Sequence, residues 1–156
     1  MISLAFVAFS IFGFLTAYFH YSKKNQTLRA DELTTISGKI SRLEVSSFGR
    51  NANITLQFSE YQNRIFLTDK HGYIATAKAD LEKNVHIGEM VFLSVAKDEK
   101  IRFDVQNFYE LKTTPLTYLS LENYNRAFEK YQAGNFRLGI FGGIFCLLFA
   151  IGFLIL

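Results

Sequence analysis

The residues of this 156-residue chain whose types could support chemistry are three histidines, one cysteine and a few paired carboxylates. His20 ends an apolar stretch, His71 lies in an Asp-Lys-His-Gly segment typical of a solvated turn, and His86 has no His or Cys at metal-ligand spacing. Cys146, which lies among Phe and Leu residues, is the single cysteine of the chain, and a single cysteine excludes an internal disulfide and a cysteine zinc site. The paired carboxylates fall in predicted turns, and neither a phosphate-binding glycine loop nor a Gly-x-Ser-x-Gly segment is suitably placed. We therefore predict no catalytic residue, no metal site and no cofactor.

Charge is distributed unevenly along the chain. Residues 33–110 contain ten basic and ten acidic residues, so the net charge of +3 comes from the flanking segments. A neutral central region lacks the basic footprint of nucleic-acid binding, whereas basic flanks favour a membrane surface. Most of the central aromatic residues also fall at core positions of the predicted strands, and we predict no nucleic-acid partner. These aromatic residues are Phe48, Phe58, Tyr61, Phe66, Tyr73, Phe92 and Phe103.

Two apolar stretches, residues 2–19 and 138–156, predict transmembrane helices. As a helix the second stretch spans about 28 Å, close to the hydrocarbon core of a bilayer, and it contains no charged residue or proline. The first is followed by aromatic and basic residues instead of a small-residue cleavage site, which favours a retained helix over a signal peptide. The predicted membrane-interface residues are Tyr18, His20, Tyr21, Lys23, Lys24, Arg126, Lys130 and Arg137.

The basic residues near the two stretches all lie on the side of the central region. By the positive-inside rule this distribution predicts a cytoplasmic central domain, with a periplasmic domain as the alternative.

Small residues recur four apart in both predicted spans. Gly139 and Gly143 lie on one face of the second span, and Gly13 and Ala17 lie on one face of the first. Because lipid gives no hydrophobic drive for helix association, close backbone approach at small residues is the expected contact. The spacing predicts that these four residues pack together, within one chain or between two copies in a homodimer.

The central region alternates apolar and polar residues with the period of a strand. Residues 54–58 and 101–106 alternate regularly, and a phase slip within residues 33–45 predicts a long strand with a bulge after Gly38. We place Phe58 and Phe103 in one shared core and expect Pro115 to close the β region. Further strands are expected at residues 64–68, 73–77 and 89–96, with a helical turn at 79–85.

Five or six short antiparallel strands favour a small barrel over a curled sheet, because closure removes exposed edges. After the strands, Ser120 caps an amphipathic helix whose apolar residues recur at helical spacing, and this helix packs on the barrel or lies in the bilayer interface. The predicted fold class is therefore an α+β membrane protein with two transmembrane helices flanking an antiparallel barrel. The predicted boundaries are 1–22 for the first transmembrane helix, 33–110 for the barrel, 117–134 for the amphipathic helix and 136–156 for the second transmembrane helix.

The layout resembles a class of small bacterial two-span membrane proteins of unknown function that carry an OB-like β-barrel between the spans. The resemblance rests on Ile36-Ser37-Gly38-Lys39-Ile40 at the start of the β region and on the segment from Gly88 to Leu93. In this chain Gly88-Glu89-x-Val91 is similar to the Gly-Asp/Glu-x-Val pattern at the start of a barrel strand. Ala96-Lys97-Asp98 stands where those proteins have a Tyr-Asp-Pro-like segment. The resemblance implies an OB-like barrel and a bacterial inner-membrane location, and it implies no activity.

Double anchoring, a neutral domain and the lack of catalytic groups together predict a non-enzymatic binding or scaffolding protein. The expected partners are the lipid bilayer and a protein or membrane complex, as for an accessory subunit or an immunity-type protein. The alternative is a membrane enzyme that acts on lipid or envelope precursors through interfacial groups such as His20 and Lys23.

Overall fold

The structure is a computed structural model that describes residues 2–23, 27–47, 52–97 and 104–155. Some predictions fall outside these residues, namely those for Lys24, Phe48, Phe103 and the start of the alternation at residues 101–106.

The chain forms two compact units. One combines the two ends of the chain, Met1–Thr27 and Phe128–Leu156, and the other is Leu28–Ala127. We call them the helix unit and the barrel unit.

Two long helices supply the helix unit. Helix α1 is Ile2–Lys23, and helix α4 is Leu121–Ile155, whose first residues belong to the barrel unit. Both helices are long and apolar enough to cross a membrane by length and composition. The predicted amphipathic helix and the predicted second span are thus one continuous helix, although residues 117–119 form a strand before it begins.

Six strands and two short helices build the barrel unit. Strands β1 to β5 close into a barrel in the order β3-β2-β1-β4-β5, because β3 also pairs with β5. This closing pair is parallel, so the prediction of an antiparallel barrel is wrong there, and β6 pairs antiparallel with the end of β5. Two helices connect β3 to β4. The bounds are β1 Leu33–Ser46, β2 Asn53–Phe58, β3 Ile65–Thr68, α2 Lys70–Ala75, α3 Lys78–Asn84, β4 Met90–Ala96, β5 Val105–Lys112 and β6 Thr117–Leu119.

Strand β1 is long because it belongs to both halves of the barrel. Its first half pairs with β4 and its second half pairs with β2, and the register with β2 shifts between Ile40 and Arg42. The bulge predicted after Gly38 is confirmed by this shift. A Cβ at Gly38 would lie 2.7 Å from ring atoms of Phe58, so only glycine fits where β1 passes this buried ring.

The barrel interior is filled by side chains. The alternation in β2 is confirmed, since Ile54, Leu56 and Phe58 are fully buried. They pack with residues from all the remaining strands and from α3, a set that includes Ile40, Phe66, Leu81, Val91, Leu93 and Phe108.

The predicted inward phase of residues 101–106 is wrong at its described end. Asp104 lies with a positive φ of 59° in the turn before β5, so no extended strand runs through this residue. In β5, Gln106 and Phe108 are buried, whereas Val105 is only half-buried.

The strand predicted at residues 73–77 is also wrong, because helix α2 occupies most of this segment. The Asp69 carboxylate accepts hydrogen bonds from the backbone N–H groups of His71 and Gly72 and so caps the helix. This cap fixes the first turn and outweighs the β-propensity of Tyr73-Ile74-Ala75-Thr76. Gly72 also packs so closely on Thr68 that a Cβ would overlap the threonine hydroxyl.

The turn at Gly88, which carries the family resemblance, has a structural role. Gly88 has a φ of +89°, and its N–H donates to the carbonyl of Ile40 over 2.7 Å. The Glu89 side chain accepts from the N–H of His86 over 3.1 Å, which closes the turn before β4. Pro115 does not close the β region, because β6 follows it and pairs with β5.

Candidate functional site

The two helices of the helix unit contact each other at the four small residues singled out by the sequence. A Cβ at Gly13 would lie 2.8 Å from the backbone nitrogen of Gly143, and a Cβ at Gly139 would lie 2.8 Å from that of Ala17. Ala17 itself is buried. The structure therefore brings Gly13, Ala17, Gly139 and Gly143 together within one chain, with the two helices antiparallel.

A polar contact accompanies this close approach. The hydroxyl of Ser10, which is 3% exposed, donates to the carbonyl oxygen of Gly143 over 2.8 Å. This contact depends on the glycines, because larger residues would hold the backbone of α4 beyond the reach of a serine.

The predicted interface residues lie in several settings. Tyr18 and Tyr21 are exposed, and the ammonium of Lys23 lies 4.3 Å from the centre of the Phe19 ring. Lys130 and Arg137 are exposed on α4. Arg126 belongs to the barrel unit and forms an ion pair with Glu122 one turn earlier.

His20 differs from the other interface residues because it is half-buried and hydrogen-bonded. Its Nδ1 lies 2.6 Å from Oε1 of Gln132, which is only 5% exposed. The rings of His20 and Tyr131 also pack edge to face, with their centres 6.3 Å apart. Gln132 has no signal in the sequence, because it meets His20 at the end of α1 only when the two helices pair.

Hydrogen bonds at three points join the first turns of α4 to the rest of the barrel unit. The Asn125 amide binds both polar backbone atoms of Leu28, donating to its carbonyl over 2.8 Å and accepting from its N–H over 3.2 Å. The Tyr124 hydroxyl donates to Asp69 over 3.0 Å. Glu110 on β5 accepts from the N–H of Leu121 over 3.2 Å. We call Leu28, Asp69, Glu110, Tyr124 and Asn125 the α4 anchor.

Asp69 is the centre of the densest part of the α4 anchor. Besides capping α2, its carboxylate lies 2.8 Å from Nδ1 of His71. The side chain of His71 is 15% exposed, so the prediction of a solvated turn histidine is wrong. The histidine is enclosed because α4 packs Tyr124 edge-on against it, a long-range contact without a local sequence signal.

These contacts lower the pKa values of the Asp69 and Glu110 carboxylates, which are partly exposed. Burial raises the pKa of Asp69, but hydrogen bonds from His71, Gly72 and Tyr124 and the charge of His71 outweigh burial and hold the pKa below its ordinary value. At Glu110 burial likewise raises the pKa, and hydrogen bonds from Ser94, Lys112 and Leu121 lower it further than burial raises it. Both groups are therefore carboxylates in the folded protein at neutral pH.

An Asp-His pair can also orient an imidazole for general acid–base work. Here, however, Nε2 of His71 is itself buried, so a substrate cannot reach the nitrogen opposite Asp69. Among the described residues no group of three His, Cys, Asp or Glu side chains could hold a metal ion. The geometry of Asp69 and His71 thus supports a structural role in holding α2 and α4.

The helix contact leads to a prediction for glycine substitution. Gly139→Ile places a side chain against the backbone of α1 and should separate the helices, whereas Gly142→Ile faces open space and should not. Overpacking costs about 1–3 kcal/mol, so the equilibrium constant for helix pairing should fall about fivefold or more. Crosslinking by a short bifunctional thiol reagent, between cysteines replacing Phe6 and Phe149 whose ring centres are 5.6 Å apart, measures pairing after replacement of Cys146. Equal crosslinking in both variants would contradict the contact.

The α4 anchor leads to a prediction about acid stability. The folded-state pKa of Asp69 is lowered, so the folded protein binds fewer protons than the unfolded chain near pH 4. This contribution to stability is present above the unfolded pKa and is lost as pH falls through the folded pKa. We expect the free energy of unfolding to decrease from about pH 5 downwards, and less steeply in Tyr124→Phe, which removes a hydrogen bond to the carboxylate.

At pH 7 Tyr124→Phe should cost about 1 kcal/mol, because the Asp69 side chain is 45% exposed and solvent screens part of the interaction. Tyr61→Phe removes a hydroxyl from the same unit and serves as the control. Urea unfolding between pH 3 and 7 gives both quantities. If the two variants have the same pH profile, the Tyr124 hydroxyl does not contribute to holding Asp69 ionised.

Comparisons with protein-family models, with curated proteins and with solved structures found no match to this chain. The architecture of two apolar helices flanking a closed five-stranded barrel therefore stands on the geometry of the chain alone.

Proposed function

We propose that this protein is a two-span membrane protein whose small barrel binds a protein partner at the membrane surface without catalysing a reaction. The observation that carries the proposal is the filled interior of the barrel. Apolar side chains occupy the interior, and the Asp69-His71 pair is engaged in holding α2 and α4. A ligand must therefore bind on the outside of the barrel, as protein partners do.

Membrane insertion is supported by the residues that α1 and α4 leave exposed. Small residues face the helix contact, whereas large apolar side chains point outward, among them Phe9, Phe12, Leu15, Leu138 and Phe141, each more than half exposed. In water such a surface would be an aggregation liability, and in lipid it is the expected outer surface of a helix pair.

The strand pairing supports an OB-like barrel. β1 pairs with both β2 and β4, the parallel pair of β3 with β5 closes the barrel, and helices connect β3 to β4. With the family resemblance, this supports a location in the bacterial inner membrane. An accessory subunit of a membrane complex and an immunity-type protein both fit the proposal.

Ile87 is the best candidate for a partner contact on the barrel. It is 76% exposed, the highest fraction among the large apolar side chains described in the barrel unit, and Met90, 43% exposed, lies on the other side of the Gly88 turn. The positive φ of Gly88 and the Glu89 bond fix this turn, so the two side chains are presented without a large ordering cost on binding.

Affinity purification of the full chain in mild detergent tests the proposed function. We expect a specific protein to co-purify with wild type and to be lost from Ile87→Asp, because a charge in a buried apolar contact is left unpaired. Thr34→Asp, on an exposed position of β1, should retain the protein. Repeated purification without a specific partner would contradict the proposal, and turnover of an added lipid or envelope precursor would favour the membrane enzyme.

The orientation of the barrel is a separate prediction. Basic residues flanking the central region favour a cytoplasmic barrel. A cysteine in place of the exposed Ser59, with Cys146 replaced, should react with a membrane-impermeant thiol reagent only after spheroplasts are lysed. Rapid labelling of intact spheroplasts would place the barrel in the periplasm.

A further inference from the structure

A groove on the helix unit combines an apolar lining with a basic end. One cavity of about 330 Å³ is lined by Phe14, Ala17, Tyr18, Tyr21, Phe136 and Ile140. A second cavity of about 170 Å³ shares Tyr21 and Phe136 with it and adds His20, Gln132, Ala133 and Arg137. The two cavities adjoin at Tyr21 and Phe136, and we call them together the groove. Its lining is apolar along the helices and polar where α1 ends.

The polar end of the groove carries uncompensated positive charge. Arg137 lines it, and no carboxylate of the described residues forms an ion pair with this guanidinium. The helix unit as a whole has four basic residues and one acidic residue, Glu129. A planar guanidinium at a bilayer interface favours a phosphate, which it can bind through two parallel hydrogen bonds.

His20 and Gln132 give this end of the groove a fixed shape. Their side chains are hydrogen-bonded to each other over 2.6 Å, and Gln132 is buried, so neither side chain is free to fill the cavity. The walls are therefore preorganised, and a ligand entering beside them orders few additional side chains.

We propose that this groove binds one anionic phospholipid, with the phosphate at Arg137 and an acyl chain along Phe14, Ala17 and Ile140. The inference rests on the proposed membrane insertion and adds a lipid class and a site to it. A second copy of the chain fits the groove less well, because a symmetric pairing through this face would bring the same basic ends toward each other. A neutral or zwitterionic lipid fits less well, because it brings no net negative charge to Arg137.

Native mass spectrometry of the delipidated full chain in detergent, titrated with phosphatidylglycerol or phosphatidylcholine, tests the site. We expect one phosphatidylglycerol per chain at concentrations that leave phosphatidylcholine unbound. Arg137→Gln should weaken this binding about tenfold, the effect of losing a charge-assisted bidentate contact. Lys130→Gln removes the same charge two turns away on the same face of α4, outside both cavities, and should change binding less than about twofold.

A second pair of variants tests the groove by its shape. Ala133→Phe fills the polar cavity and should abolish retention of phosphatidylglycerol, whereas Leu138→Phe, at a position 72% exposed, should not. Circular dichroism verifies that each variant is folded. Equal binding of the two lipids, equal effects of Arg137→Gln and Lys130→Gln, or full binding by a folded Ala133→Phe would overturn the proposal. A lipid-free dimer that protects Tyr18 and Tyr21 from modification would also overturn it.

Alkaline extraction of membranes that contain each variant separates this proposal from the one on which it rests. A chain that resists extraction but does not distinguish the two lipids retains the proposed insertion and lacks the lipid site. A wild-type chain that is extracted as a peripheral protein contradicts the insertion itself.

Discussion

The hydrogen bonds between the Asn125 amide and the backbone of Leu28 are the constraint on which the rest of the barrel unit depends. Leu28 is where the chain enters this unit, and Asn125 lies in the helix by which the chain leaves it. One side chain therefore holds both ends of the unit together, and its two bonds satisfy a donor and an acceptor that no strand pairs. These hydrogen bonds hold the two ends of the barrel unit together, in addition to the strand pairing that closes the sheet.

Closure of the sheet and fixation of α4 depend on the same strands. β5 completes the barrel by pairing with β3, and it also carries Glu110, which accepts from the first N–H group of α4. Asp69 immediately follows β3 and holds Tyr124. Glu110 thus lies on β5, and Asp69 directly follows β3, the two strands whose pairing closes the barrel. A loss of that pairing would release α4 at two points, so we expect barrel and helix start to unfold as one unit.

The parts of the fold that the sequence predicts are those encoded by local periodicity. The alternation of Ile54, Leu56 and Phe58 and the apolar lengths of the two long helices each lie within one element, and the structure agrees with both. The errors occur where a single residue resets the pattern. Asp69 caps a helix within a β-like sequence, and Asp104, with its positive φ, interrupts the extended backbone before β5. Long-range partners such as Gln132 for His20 have no local signal, so the α4 anchor and the groove emerge only from the folded chain.

Small residues form the closest part of the contact between the two long helices. In water, large apolar residues are buried at the contact, because removing their surface from solvent drives association. Here glycine and alanine occupy the closest part of the contact, Phe6 stacks on Phe149 and Phe153 nearer the chain ends, and the phenylalanines at positions 9, 12 and 141 face outward. This arrangement gives up hydrophobic burial for close backbone packing and for the bond from Ser10 to Gly143, a favourable exchange only where the surroundings are already apolar. The contact geometry therefore supports the proposed membrane insertion independently of the length of the helices.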